Sequence, residues 1–400
     1  MEGDDRRLAM RDPDHAPVLT EGRTGSNGGM DPSPSLRRRT PAFAILLLCL
    51  CGLAACGSIA PQPRQMGSGP VSVLSWNMEW LADPAALDAA DYWRRCADAG
   101  HPNRKVRDDL PFCNVFPKKG IETATDYEAR KLAPLRRRLA ELVALRDVDV
   151  ITVQEVQNAA ALRSVLPPGY RVACFTSRRD AQNVGYAVRD SLAAAVDCSE
   201  VTPLSLEEDP STERPLRRGL ALGITVRDTR ITLLAVHLKS GCPGGPMDAP
   251  NRAACRSLQR QAAPLEAWIE AQARAGRPFM IVGDWNRDLE AEIRGGYEAR
   301  TGGALPTTAV AAGEVRNLWP EINDGDPPDS EMGLVSMDRS AASSRACHRN
   351  LDQIAVSATL LAMLDPASLE DGRLPARFEA RPVAASDHCP MSTRLVFGGG

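Results

Sequence analysis

Asp284 and Asn286 stand two positions apart in IVGDWNRD, residues 281–288, directly after a run of hydrophobic residues. At that spacing a carboxylate and a carboxamide can point the same way from the end of a strand. An anionic acceptor beside an amide can orient a water and steady the charge that grows as the water attacks. The pair has company. Asn77 follows VSVLSW, Gln154 and Glu155 follow VDVITV, and His237 follows ITLLAV. Asp352 opens the run LDQIAVS, and Ser386, Asp387 and His388 close a Pro/Ala stretch near the C-terminus. Any one of these is accounted for as the solvated end of a strand. Together they put oxygen donors and imidazoles after one apolar run after another, in a chain with five histidines. Asn77, Glu155 and Asp387 are hard ligands suited to Mg2+ or Mn2+, ions that keep several waters and accept phosphate oxygens. His237 and His388 can move protons near neutral pH. The set points to water attacking a phosphate ester beside a divalent cation.

Such residues converge only if the runs before them are strands. VSVLSW (71–76), VDVITV (148–153), ITLLAV (231–236), PFMIVG (278–283) and LDQIAVS (351–357) are strand-length, β-branched and bounded by polar residues. They read as strands with core on both sides, and RVACF (171–175) and LALGITV (220–226) as further strands. Helical patterns lie between, at 128–145 with an apolar stripe of Leu135, Leu139 and Leu142, and at 256–275. Two polar stretches, 81–127 and 321–349, read as loops added to this core. Strands and helices interleave from 71 to 397 without a second linker, so one domain is expected.

WNMEW, VQEV, HLKS, GDWN, LDQI and SDH occur in the order and approximate spacing of the endonuclease/exonuclease/phosphatase superfamily, which the chain resembles over residues 71–397. The resemblance implies an α/β fold, a four-layer sandwich of two mixed β-sheets packed face to face with helices outside and the site at one edge. It implies Asn77 and Glu155 as metal ligands with Asp387 nearby, and Asp284 and Asn286 as positioners of water and phosphate. His388 resembles the catalytic histidine, oriented by Asp352. His237 stands where members of this superfamily carry either a second histidine or a tyrosine. Arg214, Arg217 and Arg218 precede a strand where members hold a phosphate-contacting arginine; a solvated charge run is the other reading. The ending SDHCP departs from the usual pattern at Cys389. Trp76, Trp80 and Trp285 read as packing residues, and His101 and His348 as surface loop residues.

Composition bounds the rest. Hydrophobic residues make up 43% of the 400 and charged ones 25%, as in ordinary globular proteins. Lys and Arg number 48 against 51 Asp and Glu, a net charge of -3, so any polyanion site must be local. Residues 1–36 read as a disordered leader that includes His15, and a start at Met30 would leave a signal of normal length. Residues 37–56 run from three arginines through an apolar stretch to LAAC, the layout of a lipoprotein signal with Cys56 as the lipidated terminus. A plain secretory signal or an uncleaved anchor would share that layout. Residues 57–70 form a Gly/Pro/Ser tether. Three of the 11 cysteines fall in the signal, and an even remainder in an exported chain suggests disulfides. Nearest-neighbour pairing gives Cys96–Cys113, Cys174–Cys198, Cys242–Cys255 and Cys347–Cys389.

The substrate stays open at this level. A surface-tethered nuclease is expected first, because paired histidines favour diesters and WRRC, NRKVR and PKKG could touch backbone phosphates. A phospholipid, sphingomyelin or small-molecule phosphodiesterase is the alternative, against which aromatics are only 4%. A non-catalytic binding lipoprotein on the same fold comes third.

Overall fold

The computed structural model describes residues 69–89, 91–98, 110–178, 181–192, 196–209, 215–226, 228–248, 251–294, 317–327, 330–340, 350–379 and 385–399. The leader, the signal with Cys56, most of the tether, and His101, His348, Arg214 and Cys347 lie outside them.

The strands in chain order are β1 (Val71–Leu81), β2 (Val150–Val156), β3 (Tyr170–Phe175), β4 (Asn183–Arg189), β5 (Val196–Val201), β6 (Gly219–Val226) and β7 (Thr229–His237). Next come β8 (Phe279–Asp284), β9 (Met332–Leu334), β10 (Ser336–Asp338), β11 (Asp352–Ser357), β12 (Pro375–Phe378) and β13 (Met391–Leu395). One sheet runs β10-β12-β13-β1-β2-β4-β3 and the other β5-β6-β7-β8-β11-β9. Both are mixed: β1 with β2 and β7 with β8 are parallel pairs flanked by antiparallel neighbours.

Side-chain alternation builds the layers. Val71 and Val73 of β1, Val150 of β2, and Leu233, Val282 and Ile354 of the other sheet share one buried cluster, so the sheets pack face to face. The opposite face of the first sheet, with Leu74, Trp76, Ile151 and Val153, packs on Leu135, Leu139 and Leu142 of the helix Ala133–Arg146. That of the second, with Leu234, Val236 and Ile281, packs on Leu258, Leu265 and Ile269 of the helix Ala253–Arg274. Each such side chain contributes about 1.5–3 kcal/mol on leaving water. Helix, sheet, sheet, helix is the four-layer sandwich expected from the sequence.

Some expectations need correcting. The stretch 321–349 is not only loop, because it holds β9 and β10. The stretch 81–127 contains the short helices Pro84–Ala89 and Tyr92–Asp98, stapled by the disulfide Cys96–Cys113. Cys174–Cys198 joins β3 to β5, tying the edge strands of the two sheets together, and Cys242–Cys255 closes the loop after His237. Cys389 is also disulfide-bonded, while its expected partner Cys347 is outside the described residues.

Candidate active site

The parallel pairs decide where the site lies. β1, β2, β7 and β8 all end at one edge of the sandwich, and the antiparallel β11 begins there, with Asp284 paired to His237 on one side and Asp352 on the other. Residues directly opposite on neighbouring strands project from the same face. On β7 the inward row Ile231, Leu233 and Ala235 continues into His237, and on β8 Met280 and Val282 continue into Asp284. On β11 Asp352 precedes Ile354 and Val356, and on β1 Asn77 follows Val71 and Val73. The site is the polar continuation of the inter-sheet core. Gly283 permits the crowding: its φ is +135°, and a Cβ there would run into the Val236 carbonyl.

Glu155 breaks this alternation. Its parity matches Val153 and Ile151, which face the helices, but β2 shifts register here and Glu155 has φ +56°. Left-handed backbone at a residue other than glycine costs about 1–3 kcal/mol and collects where function requires it. Glu79 (φ +47°), Trp80 (φ +61°) and Asn286 (φ +53°) share this conformation at other strand exits.

Asp284 is the hub. Its Oδ2 accepts from Asn77 Nδ2 at 3.0 Å and its Oδ1 from the Asn286 backbone N–H at 2.8 Å. His237 Nε2 lies 3.6 Å and His388 Nε2 3.8 Å from Oδ2, and His237 Nε2 is also 3.6 Å from Glu155 Oε1. His388 Nδ1 is held at 2.6 Å by Asp352 Oδ2. Asn77 Oδ1 accepts from the Glu79 N–H at 2.9 Å, and Asn286 Nδ2 donates to the Leu238 carbonyl at 3.1 Å. Asp387 is placed differently: its side chain is 60% exposed, with Oδ1 3.8 Å from His388 Nε2.

Electrostatics separate the two histidines. Burial, reinforced by Arg217 and His388, pushes the His237 imidazole well below its usual pKa, and its Nδ1 is buried without a hydrogen-bond partner among the described residues. Burial would also lower His388, but the carboxylates of Asp352, Asp284 and Asp387 together raise it well above the imidazole range. Burial lifts Asp284 to about 7 and raises Glu155. Glu155, His237 and Asp284 place ligand atoms within 4.8 Å of one another, as do Asp284, Asp352 and His388. Two desolvated carboxylates this close together fit a divalent cation, whose charge would hold both ionised.

The tryptophans are packing residues: Trp76 and Trp285 are fully buried, with indole N–H groups on the carbonyls of His388 and Gln353. Arg218 is engaged by Glu200 and Glu207, whereas Arg217 holds the carbonyls of His237 and Leu238 behind the site. The structure adds two residues to the site. Glu79 accepts the Asp387 N–H at 2.9 Å and pairs with Lys119. Lys131 is buried, with its ammonium on the carbonyls of Glu79 and Ala385, and burial lowers its pKa to about 7. The sequence carried a signal for Lys131, which lies four residues before Leu135 on the apolar stripe of its helix.

Carboxylates, amides and two imidazoles on the exits of paired sheets define a phosphoester hydrolase. The chain belongs to the Endonuclease/Exonuclease/phosphatase family, whose model matches residues 74–388. Among solved structures it is similar to an endonuclease/exonuclease/phosphatase family protein from Leptotrichia buccalis (12% identity, 82% of this chain and 100% of that one, TM-score 0.40). Similar again are D. rerio TDP2 complexed with a single-strand DNA product (14%, 81% and 98%, 0.37) and ANGEL2, a 2',3'-cyclic phosphatase (16%, 82% and 96%, 0.42). No curated protein matches.

Proposed function

We propose that the chain hydrolyses the phosphodiester bonds of DNA or RNA with the help of a divalent cation, Mg2+ or Mn2+. The observation that carries this reading is the convergence on Asp284 of two imidazoles, His237 from β7 and His388 held by Asp352. Glu155 would hold the cation with Asn77 and Asp387, and Asp284 lies within ligand reach of Glu155. The cation supplies charge neutralisation at the phosphate oxygens. Asp284 and Asn286 orient the attacking water. His388, its tautomer fixed by Asp352 on Nδ1, presents Nε2 to the reacting atoms and carries the proton. His237, neutral and buried, donates a hydrogen bond to the phosphate without adding charge.

Nucleic acid is favoured over lipid by what the inserted segment presents. Lys118 is exposed there, next to Lys119 on Glu79. Its aromatics are spent on one another: Phe112 and Phe116 stack at 5.0 Å, and Phe116 meets Tyr127 at 5.1 Å. Leu145 is the one exposed large hydrophobic side chain among the described residues, so none of them offers an aromatic hairpin to a bilayer. Incubating the purified protein with plasmid DNA, RNA and sphingomyelin, with Mg2+ or with EDTA, tests the reading. Cleavage of DNA or RNA that EDTA abolishes is expected. Turnover of sphingomyelin alone, or activity indifferent to EDTA, would refute it.

The protein is further proposed to be exported and held on a membrane by lipid on Cys56, facing the periplasm or the cell surface. The arginines, apolar run and LAAC motif support this, as do disulfides that call for an oxidising compartment. Lipid labelling that persists in Cys56→Ala would disprove the anchor.

A further inference from the structure

The helix before β2 is not a regular α-helix. Glu128–Leu132 forms a π turn, in which the Ala133 N–H reaches back five residues to the Glu128 carbonyl. Pro134 supplies the reason: it has no N–H to offer the Arg130 carbonyl, so the α-helical ladder cannot pass through it. The wider turn brings Lys131 and Leu132 inward together, and Lys131 is only 1% exposed.

A lysine buried that deeply is costly unless its head group is fully used. Its Nζ donates to the carbonyls of Glu79 and Ala385. These two carbonyls need outside partners: Glu79 sits in the register shift of β1 with left-handed backbone, and Ala385 begins the turn that carries His388. Further bonds cross the same seam. Ser386 Oγ donates to the Asn77 carbonyl at 2.7 Å and accepts from the His388 N–H at 3.0 Å, while Asp387 N–H donates to Glu79. Trp76 Nε1 donates to the His388 carbonyl at 3.2 Å. Within this seam the ammonium bonds both backbones at once, as the Ser386 hydroxyl does, and it alone of the two comes from the helix side.

We propose that Lys131 is a positioning residue, which locks the exit of β1 to the segment 385–388 and thereby fixes His388 against Asp352. It acts through Glu79 and Ala385 and does not touch the reacting atoms. Backbone carbonyls set its partners, so a side chain of similar length without donors leaves the strands intact and loosens the seam. The inference rests on His388 being catalytic, but not on which phosphodiester is cut.

Lys131→Met tests it, assayed on bis(p-nitrophenyl) phosphate, with hydrogen exchange read on the same preparation. The expected result is a kcat lower by roughly 10- to 100-fold, the range that a displacement of about 1 Å at a catalytic group produces. KM should stay within about two-fold, because no substrate contact is removed. The amides of Asp387 and His388 should exchange faster, while those inside β1 and β2 stay protected. Lys131→Arg, which keeps the cation and can reach both carbonyls, should recover part of the kcat and of the protection. A folded Lys131→Met with unchanged kcat would overturn the proposal, as would a KM effect alone. Uniform loss of protection across β1 and β2 in both variants would show a structural role instead and also overturn it. If the wild-type protein does not turn over the diester, the functional reading fails, while the exchange result still judges the seam.

Discussion

Among the described residues two carboxylates, Asp284 and Glu266, are pushed to about 7, and one of them marks a site. Burial raises Asp284 at the end of β8, and burial also raises Glu266 on the helix Ala253–Arg274. Their surroundings differ. Asp284 is fixed by Asn77 Nδ2 and the Asn286 N–H and faced by two imidazoles from separate strands. The charges that raise Glu266 further are acids, Glu321, Asp324, Glu270 and Asp326. Among the described contacts no imidazole or amide converges on it in the way His237, His388 and Asn77 converge on Asp284. A perturbed pKa therefore says only that charge is disfavoured. Chemistry needs, in addition, donors and proton carriers brought to the same point by different elements.

If that distinction holds, Asp284→Asn should lower kcat by at least about 100-fold, as removing a preorganised charge at a reacting centre does. Glu266→Gln should leave kcat within about two-fold of wild type. Comparable losses from both would break the comparison. Removing the proton carrier or its orienting carboxylate comes next: His388→Ala and Asp352→Asn should each reduce kcat by about 100-fold or more with a smaller change in KM. A rise in KM alone would make His388 a phosphate-binding group. Replacing Cys242 and Cys255 with serine reopens the loop after His237, which also receives Arg287 on the Cys242 and Gly245 carbonyls. A closed loop of this length contributes about 3 kcal/mol, so the double variant should melt measurably lower, and an unchanged Tm would deny the loop that role. The smallest effect belongs to Glu266 itself. The folded state keeps its proton up to about 7, whereas the usual value is 4.5. The favourable contribution is thus present at low pH and lost as pH rises through that window. Glu266→Gln should then raise Tm by about 1–2 °C at pH 8 and leave it unchanged at pH 4, with partial exposure keeping the gain small.

Much of the site was readable because alternation carries information. Leu233 and Ala235 lead to His237 and Val282 to Asp284 along inward faces that are apolar up to the edge, while on β1 Ser75 stands between Val73 and Asn77. Glu155 was readable from VQEV but its direction was not, since parity turns it toward the helices and only left-handed backbone turns it back. β5 (VDCSEV) and the short β9 and β10 escaped because their sequences are polar or too brief for a period to show. Lys131 escaped for another reason. In EARKLAPLRRRLAEL a lysine among arginines reads as part of a solvated face, although it lies four residues before Leu135 on the apolar stripe and sits in the π turn ahead of Pro134.

The proposed mechanism requires that Glu155 hold a divalent cation. Glu155→Gln keeps the size of the side chain and removes the charge, so phosphodiester hydrolysis by this variant, measured across a Mg2+ titration beside wild type, is the direct test. Wild-type activity should vanish in EDTA and return with Mg2+ or Mn2+, while Glu155→Gln should lose at least about 100-fold at wild-type saturating metal. Wild-type rates in both EDTA and the glutamine variant would contradict the mechanism at its centre.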